Sequence, residues 1–263
     1  MQSLTPTKTN ILLTLARYKF LTISQMVMLG VATQRSNISA NLSQLKKSRG
    51  ALIGEIPFPF VPNHGRAETL YYLKPKAKEI LVEELFMDAS TIKIPKSSTT
   101  VFTRDYFHRK HTISCMIQQD LQAKKEGGSI LWFDYYFDKL DKSENGTRAK
   151  NKIDLKDGKY MIPDAVFIKE TAKGKKELWL FEMFCDTGVK RPYETLLKHR
   201  EALILGTPTT KYNFDKANRV LCVFEYESVL NSVKTKFESD SLFDGFSEYF
   251  VFENTFVKSI RER

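Results

Sequence analysis

The sequence predicts an α+β protein of two domains, in which residues 1–88 form a helix-rich domain, 89–101 a linker and 102–263 an α/β domain. Three observations lead to this prediction. The first domain combines helical periodicity of apolar residues with one hairpin pattern. Residues 88–100, DASTIKIPKSSTT, are poor in large apolar side chains and rich in Ser, Thr and Lys, as linkers are. Beyond them, helices flank a central run of strands, which predicts a three-layer unit with a mixed sheet.

Charge is distributed unevenly along the chain. The 263 residues carry a net charge of +10, and 42% of them are hydrophobic, which is ordinary for a globular protein. Residues 1–104 hold 14 Lys and Arg against 6 Asp and Glu, whereas the remainder holds 27 against 25. A concentrated positive field favours a polyanionic partner, either nucleic acid or an acidic membrane surface.

The sequence contains no apolar run that approaches the ~20 residues needed to span a bilayer, and its N-terminus lacks the order of a secretory signal. We therefore expect no membrane insertion and a cytoplasmic location. The three cysteines, Cys115, Cys185 and Cys222, are odd in number and far apart. We expect them to be reduced core residues rather than disulfides or zinc ligands.

Three short helices are predicted at the start of the first domain. Thr5-Pro6 supplies an N-cap and a first-turn proline, after which apolar residues recur at helical spacing. A second helix opens at Thr22 and stops at Gly30. A third begins at Thr33 and has a polar, basic outward face. Its inward face consists of Ile38, Leu42 and Leu45.

A β-hairpin and a fourth helix follow. Residues 52–60 and 68–73 flank the turn Pro-Asn-His-Gly-Arg, which predicts a hairpin with a polar, basic tip. Residues 77–86 then have the apolar spacing of a helix.

The order helix, helix, helix, hairpin, helix over residues 5–88, with the string YYLKPKAKEIL, resembles winged-helix DNA-binding domains. In that family the third helix enters the major groove and the wing contacts the DNA backbone or the minor groove. The resemblance implies base contacts from Gln34, Arg35, Asn37 and Asn41, and phosphate contacts from Lys46, Lys47, Arg49, His64 and Arg66. A solvated helix surface, or a module that binds protein, is the alternative explanation of this polar face.

Three carboxylates stand in otherwise apolar, β-like segments of the second domain. The run YMIPDAVFIK at 160–169 carries Asp164 near its start, and LWLFEMFCD at 178–186 carries Glu182 and Asp186 on one face. If these runs are adjacent strands joined by a turn at 170–176, Asp164 comes close to Glu182. Buried charges persist when they are paired or bound to a metal, and clustered oxygen ligands suit Mg²⁺ or Mn²⁺.

Structural roles compete with the metal site at these positions. Asp164 could cap or turn the chain after Pro163, and Glu182 and Asp186 could pair with nearby Lys or Arg. The Asp-Thr-Gly string that begins at Asp186 is also an ordinary turn and helix-capping sequence.

The other segments of the second domain alternate between helix and strand. We expect a helix at 104–125, a strand at 130–137, a polar surface insertion at 138–158, a helix at 191–205, a strand at 219–226, a helix at 228–238 and a strand at 249–253.

This order of strands and helices resembles the core of PD-(D/E)XK nucleases, in which a Pro-Asp strand and an acid-bearing strand bind the metal that activates a water for phosphodiester attack. Pro163-Asp164 matches the first half of that motif and Glu182 the second. The lysine that the family carries two residues after the acid is Phe184 here. Members of the superfamily also carry the lysine in the following helix, where Lys198 is the candidate. An i, i+4 pair with Glu194 is the structural alternative for Lys198.

The whole set of features is most similar to the replication-relaxation family and the related MobC-type plasmid relaxases. It comprises the winged helix, a helix that opens with His111-Thr112-Ile113-Ser114, the PDA string, the Glu182-x-x-x-Asp186-Thr-Gly string and a later lysine. The resemblance implies a plasmid relaxase or nickase that recognises double-stranded DNA at an origin region and cuts one strand for mobilisation, conjugation or replication. Other relaxosome or replication proteins are its implied partners.

The chemistry implied by this resemblance depends on a divalent cation. Asp164 and Glu182 would hold Mg²⁺ or Mn²⁺, with Asp186 as a further ligand. Lys198 would neutralise phosphorane charge, and His111 would serve as acid, base or phosphate contact.

Two alternatives remain open at this point. Tyr160 and Tyr193 neighbour the carboxylates, so a covalent tyrosyl intermediate competes with hydrolysis. Phe184 at the lysine position favours a non-catalytic DNA-binding initiator or relaxosome accessory protein with a degenerate nuclease fold.

Overall fold

The computed structural model describes residues 4–48, 50–58, 60–61, 65–95, 105–143 and 146–254. The chain divides into two compact units, Met1–Ile113 and Ser114–Arg263. The described residues form a mixed α+β structure with eight α-helices and a mixed five-stranded sheet. Of the helices described, none is long and apolar enough to cross a membrane.

The first unit has the predicted order of three helices, a hairpin and a helix. Its elements are α1 (Pro6–Tyr18), α2 (Ile23–Met28), α3 (Arg35–Lys47), β1 (Ile53–Ile56), β2 (Phe60–Val61), β3 (Gly65–Arg66), β4 (Leu70–Leu73) and α4 (Pro75–Glu83). Strand β1 pairs with β4, and β2 pairs with β3, both antiparallel.

Capping residues and apolar spacing fix the three N-terminal helices. Thr5 caps α1, since its side chain accepts a hydrogen bond from the backbone N–H of Lys8. Thr22 and Gln25 form a reciprocal capping box at the start of α2. In α3 the buried residues are Ile38, Leu42 and Leu45, as predicted.

Helix α5 (Tyr106–Lys125) contains the boundary between the two units. Its first turn is tied to the first unit by the Tyr106 hydroxyl, which donates to the backbone carbonyl of Glu68 over 2.9 Å. Lys110 contributes further, because it lies 3.1 Å from the Glu68 carboxylate and its carbonyl accepts a hydrogen bond from Gln25.

The second unit continues from α5 into the five-stranded sheet. Its remaining elements are β5 (Ser129–Tyr135), β6 (Lys139–Ser143), β7 (Gly146–Ala149), β8 (Ile153–Asp154), β9 (Tyr160–Met161), β10 (Ala165–Glu170), β11 (Lys176–Phe184), α6 (Lys190–Leu205), α7 (Thr207–Tyr212), β12 (Arg219–Phe224), α8 (Glu227–Ser239) and β13 (Phe250–Glu253). The order of strands in the sheet is β13-β12-β11-β10-β5. Strand β10 is antiparallel to β5 and β11, whereas β12 and β13 run parallel to β11.

Two apolar clusters pack between α6 and the sheet. One contains Leu180 of β11 and Ala202 of α6, and the other contains Phe184 of β11 and Leu196 of α6. Leu178, Leu180, Glu182 and Phe184 therefore share the face that the alternation of β11 predicts. Glu182 falls between the two clusters.

Three segments differ from the sequence predictions. Residues 138–158, expected to form a polar insertion, contain the β6–β7 hairpin and β8. The expected strand at 160–169 is two strands, because residues 162–164 interrupt it. Pro163 has no N–H to donate to a ladder, so β9 pairs with β8 and only β10 joins the main sheet. Helix α7 was not predicted, since its sequence TPTTKY lacks an apolar period.

All three cysteines carry free thiols. Burial raises the pKa of Cys115, of Cys185 and of Cys222 above the ordinary thiol value, so each is held in its unreactive, protonated form.

Gly128 is a position where the fold requires the absence of a side chain. A Cβ at this residue would lie 2.2 Å from the carbonyl oxygen of Glu170, which belongs to the backbone at the end of β10. We predict that Gly128→Ala lowers the free energy of unfolding by about 1–3 kcal/mol in urea titrations, because the backbone must move to admit the methyl group. Gly188→Ala is the control, since a Cβ there meets nothing within 4 Å, and it should change stability by less than about 0.5 kcal/mol. Equal effects of the two substitutions would contradict the close approach of β5 and β10.

Candidate functional site

Asp164 is fixed by the polypeptide on both sides of it. Its Oδ2 accepts a hydrogen bond of 2.7 Å from the backbone N–H of Met183 in β11. Its backbone carbonyl accepts a bond of 3.0 Å from the N–H of Tyr136, next to β5. The buried amide of Asn151 donates to the carbonyl of Pro163, the preceding residue. Asp164 therefore stands at the start of β10, outside the ladder, and not inside a strand as predicted.

Asp164 and Glu182 lie near each other at one end of the β10–β11 pairing. The ladder ends at the pair Ala165–Phe181, so Asp164 is one residue beyond it. The Asp164 carboxylate accepts from the N–H of Met183, the residue that follows Glu182. Both acids are buried, with exposed fractions of 9% and 7%.

His199 of α6 contacts Glu182 directly. Its Nε2 lies 2.7 Å from Glu182 Oε1, and its side chain is fully buried. Helix α6 places His199 between Leu196, in one apolar cluster, and Ala202, in the other. The hydrogen bond between His199 and Glu182 thus crosses the interface between the sheet and α6.

The imidazole of His199 is neutral at physiological pH. Burial is the main cause that lowers its pKa, and the charge of Lys198 adds to this, while the nearby Asp164 carboxylate opposes it; the resulting pKa is about 3. A neutral imidazole that bonds a carboxylate through Nε2 carries its proton on that atom. His199 therefore donates to Glu182 and fixes its orientation without supplying a positive charge.

The donor atoms at this site are hard oxygens from two carboxylates, with one imidazole beside them. Within the described residues, no three His, Cys, Asp or Glu side chains form a group that could hold a metal ion. Mg²⁺ needs fewer protein ligands than that, because it keeps several waters and binds through one or two carboxylates together with substrate phosphates. Asp164 and Glu182 fit this requirement by chemistry, and the Mg²⁺ or Mn²⁺ site stays a prediction.

Asp186 is not part of β11. The strand ends at Phe184, and the Asp186 carboxylate lies 3.3 Å from the guanidinium of Arg191 in α6. This ion pair is the structural alternative that the sequence left open. The role of Asp186 as a third metal ligand has no support in its surroundings.

The two lysine positions of the nuclease pattern are filled differently. Phe184 is buried, and its ring centroid lies 4.7 Å from that of Phe224 in the apolar cluster. Lys198 is exposed on α6 and directly precedes the buried His199. The charge on Lys198 reaches the site, since it contributes to the lowered pKa of His199.

Of the other predicted catalytic residues, His111 is buried on α5 within the first unit, and its role as acid or base stays a prediction. Tyr193 is buried and its hydroxyl bonds Asp240. Burial, followed by the bond to Asp240, raises the pKa of Tyr193 to about 12, which disfavours it as a nucleophile. Tyr160 is exposed, with the Lys152 ammonium 4.6 Å from its ring centroid.

The polar face of α3 is open to solvent, as predicted. Gln34, which precedes the helix, and Arg35, Asn37, Lys46 and Lys47 are exposed, while Asn41 is half-buried. Asn41 donates to the Asn37 side chain over 2.7 Å, and Lys46 pairs with Glu55 of β1. Arg49 and His64 lie outside the described residues, and of Arg66 only the backbone, in β3, is described.

Arg35 is held in place by Glu68. The guanidinium lies 2.9 Å from the Glu68 carboxylate, which also accepts a hydrogen bond from the Ser24 hydroxyl. Burial alone would raise the pKa of Glu68, but the Ser24 bond and the charges of Lys110 and Arg35 lower it to about 2. The first turn of α3 is therefore anchored to the segment before β4, and Arg35 would have to leave Glu68 to read a base.

His199 is the residue that our sequence reasoning missed. Its position follows from helical periodicity, because Tyr193, Leu196, His199 and Ala202 are three residues apart and form the buried face of α6. A histidine on an otherwise apolar helical stripe indicates a buried polar contact, whereas the sequence prediction named the neighbouring Lys198 instead.

Comparison of the chain with protein-family models, with curated proteins and with solved structures gave no match.

The neutrality of His199 predicts a pH dependence of stability. The folded state keeps the imidazole unprotonated down to pH about 3, whereas the unfolded chain takes up a proton below about pH 6.5. The unfolded state therefore binds more protons between these values, and stability falls with acidification by up to about 1.4 kcal/mol per pH unit.

His199→Gln retains a donor for Glu182 but does not titrate. In urea unfolding series between pH 7.5 and 4.5, we expect the wild-type curve to fall more steeply than that of the variant. The difference at pH 7.5 measures the cost of the substitution alone, since His199 is neutral in both states there. Parallel curves over the whole range would contradict the assignment.

Proposed function

We propose that this protein is a plasmid DNA nickase or relaxase of the cytoplasm. In this proposal a winged helix at residues 1–88 recognises double-stranded DNA at an origin, and a PD-(D/E)XK-like domain at 102–263 cuts one strand with the help of Mg²⁺ or Mn²⁺. The observation that carries the proposal is the pair of buried carboxylates, Asp164 at the start of β10 and Glu182 in the adjacent β11, held near each other by the bond from the Met183 N–H to Asp164.

The sheet supports the comparison with the nuclease core. An antiparallel run β5, β10, β11 is followed by α6 and by β12, which is parallel to β11. Asp164, which follows a proline at the start of β10, and Glu182, inside β11, support the comparison as the two acids of the motif. The resemblance lies in the order and direction of these elements together with the placement of the acids.

Asp164 and Glu182 would hold the cation. When bound, the ion polarises the scissile phosphate and lowers the pKa of a coordinated water. The Met183 N–H orients the Asp164 carboxylate, and His199 orients that of Glu182, so both acids are set before substrate arrives. Lys198, exposed one residue before His199, would neutralise charge that develops on the phosphate.

The DNA-binding half of the proposal rests on α3. Apart from Ala40, its solvent-facing residues are polar or basic, and residues 1–104 carry most of the excess positive charge of the chain. In a winged helix, Gln34, Asn37 and Asn41 would contact base edges, and Lys46 and Lys47 would contact phosphates. Other relaxosome or replication proteins would act beside it at the origin.

A second candidate function is a non-catalytic initiator or relaxosome accessory protein. Phe184 favours it, because the position that carries lysine in the nuclease pattern is part of the apolar cluster with Phe224. In this alternative the carboxylates and His199 would only stabilise the sheet against α6.

The carboxylate pair gives the decisive experiment. Supercoiled plasmid that contains the origin is incubated with protein and Mn²⁺ or Mg²⁺, and open circles are quantified on agarose gels. We expect wild-type protein to produce them, EDTA to abolish them, and Asp164→Asn or Glu182→Gln to lower the rate about a hundredfold or more, because each removes a ligand charge.

Two further variants sharpen this assay. Asp157→Asn changes an exposed carboxylate in a backbone conformation that asparagine tolerates, and it should leave the rate unchanged. Asp186→Asn should also have a small effect if two acids suffice. Origin binding without any relaxation, insensitive to Asp164→Asn, would reject the nickase in favour of the accessory protein.

For the DNA-binding surface we predict that Lys46→Ala combined with Lys47→Ala weakens binding to an origin duplex. Loss of two phosphate contacts should reduce the slope of log K against log salt by about 2. Lys76→Ala combined with Lys78→Ala removes the same charge from α4 and is the control. Fluorescence anisotropy at several salt concentrations measures both pairs, and an equal loss from the two would argue against α3 as the contact surface.

A further inference from the structure

A second group of basic side chains lies at the opposite end of β11 from the carboxylates. The group, called the basic rim below, consists of Lys169, Lys173, Lys175, Lys176, Lys216 and Arg219. The turn between β10 and β11 carries Lys173 and Lys175, while Lys169 lies near the end of β10 and Lys176 begins β11. Arg219 begins β12, and Lys216 shortly precedes it. None of them belongs to the proposed nickase site.

The basic rim surrounds two open cavities that lie side by side. One has a volume of about 340 Å³ and is lined by Lys176 and Lys216, among others. The other, of about 630 Å³, is lined by Lys169 and Lys173. Lys175, Glu177 and Arg219 line both, so the two cavities adjoin each other.

Positive charge dominates this surface. Its six basic side chains face three acidic ones, of which Glu126 is paired with Lys169 at 2.8 Å and Glu177 with Lys175 at 2.7 Å. Within the described part of the chain, Lys173, Lys176 and Lys216 have no ion pair, and all three are exposed. Glu248 is the remaining acid, so the surface retains unpaired cations for an anionic ligand.

Aromatic side chains accompany the cations. The Arg219 guanidinium lies over the Trp179 ring at 4.6 Å from its centroid, and Arg219 lines both cavities. Phe214 and Tyr249 are half-buried and line the smaller cavity. Cationic grooves with interleaved aromatic rings are the arrangement that binds single-stranded nucleic acid, in which phosphates meet cations and bases stack on rings.

The basic rim is distant from the carboxylate pair. Lys176 and Glu182 are six residues apart in β11, which corresponds to about 20 Å along an extended strand. A ligand on the basic rim therefore does not occupy the proposed cleavage site.

We propose that the basic rim is a binding surface for single-stranded nucleic acid. The phosphates of the nucleic acid contact Lys173, Lys176 and Lys216, and a base enters the smaller cavity against Phe214 and Tyr249. A duplex is too wide to reach into such cavities, whereas the flexible backbone of a single strand follows them. The inference rests on the proposed function for the choice of nucleic acid as the polyanion, and on the assumption that nicking or origin melting releases a free strand.

The test measures binding of the full chain to a fluorescein-labelled oligothymidylate of about 16 nucleotides. This length is the upper end of the site sizes that single-strand-binding OB folds cover. Anisotropy is recorded at several salt concentrations for wild type and for the triple variant Lys173→Gln, Lys176→Gln, Lys216→Gln. We expect about tenfold weaker binding and a salt slope smaller by about 2, since each phosphate contact to a single strand contributes about 0.7. The control variant Lys156→Gln, Lys159→Gln, Lys234→Gln removes the same charge from exposed lysines that line neither cavity, and it should bind as wild type does.

Several results would overturn the inference. The first is that wild type does not bind the oligonucleotide, and the second is that the two triple variants bind it with equal affinity. The third is competition by thymidine monophosphate at concentrations comparable with the oligonucleotide, which would assign the surface to a small phosphate ligand. Failure of the nickase proposal is seen separately, as a loss of plasmid relaxation that depends on Asp164. If wild type does not nick the plasmid but binds the oligonucleotide, and the basic rim variant binds it more weakly, this inference still holds.

Discussion

The hydrogen bond between His199 and Glu182 is the interaction on which the second unit depends. It joins α6 to the centre of the sheet at the point where two apolar clusters meet. A buried carboxylate without a partner costs far more than a made hydrogen bond contributes, so the helix cannot shift along the sheet without exposing Glu182 to an apolar neighbour. The same bond fixes the carboxylate for any chemistry, which links the stability of the fold to the geometry of the site.

Glu68 has the corresponding role in the first unit. It joins the start of α3, through Arg35, to the first turns of α5, through Lys110 and Tyr106. Its lowered pKa keeps it ionised over the whole physiological range, so this junction does not respond to pH. Arg35 is consequently held in a structural ion pair, whereas the side chain of Lys47 is exposed to solvent.

Periodicity, caps and apolar runs were sufficient to predict most elements. Helices α1, α3 and α6 each bury one regular stripe, and β11 and β12 are continuous apolar runs buried on both faces. The register that brings Asp164 to Glu182 followed from two apolar runs joined by a short turn. The features that the sequence did not predict depend on non-local or irregular contacts. The break at Pro163 requires the pairing of β9 with β8, the hairpin at 139–149 lacks apolar alternation, and the partner of Glu182 comes from a helix that no local pattern connects to it.

Phe184 limits which residues its position in β11 accepts. A lysine at this position would place a charged amine beside Phe224 in a cluster that excludes water, at a cost of several kcal/mol. Placing lysine there would thus require several neighbouring substitutions at once. The exposed surface of α6, where Lys198 lies, tolerates a cation near the carboxylates at far lower cost to folding.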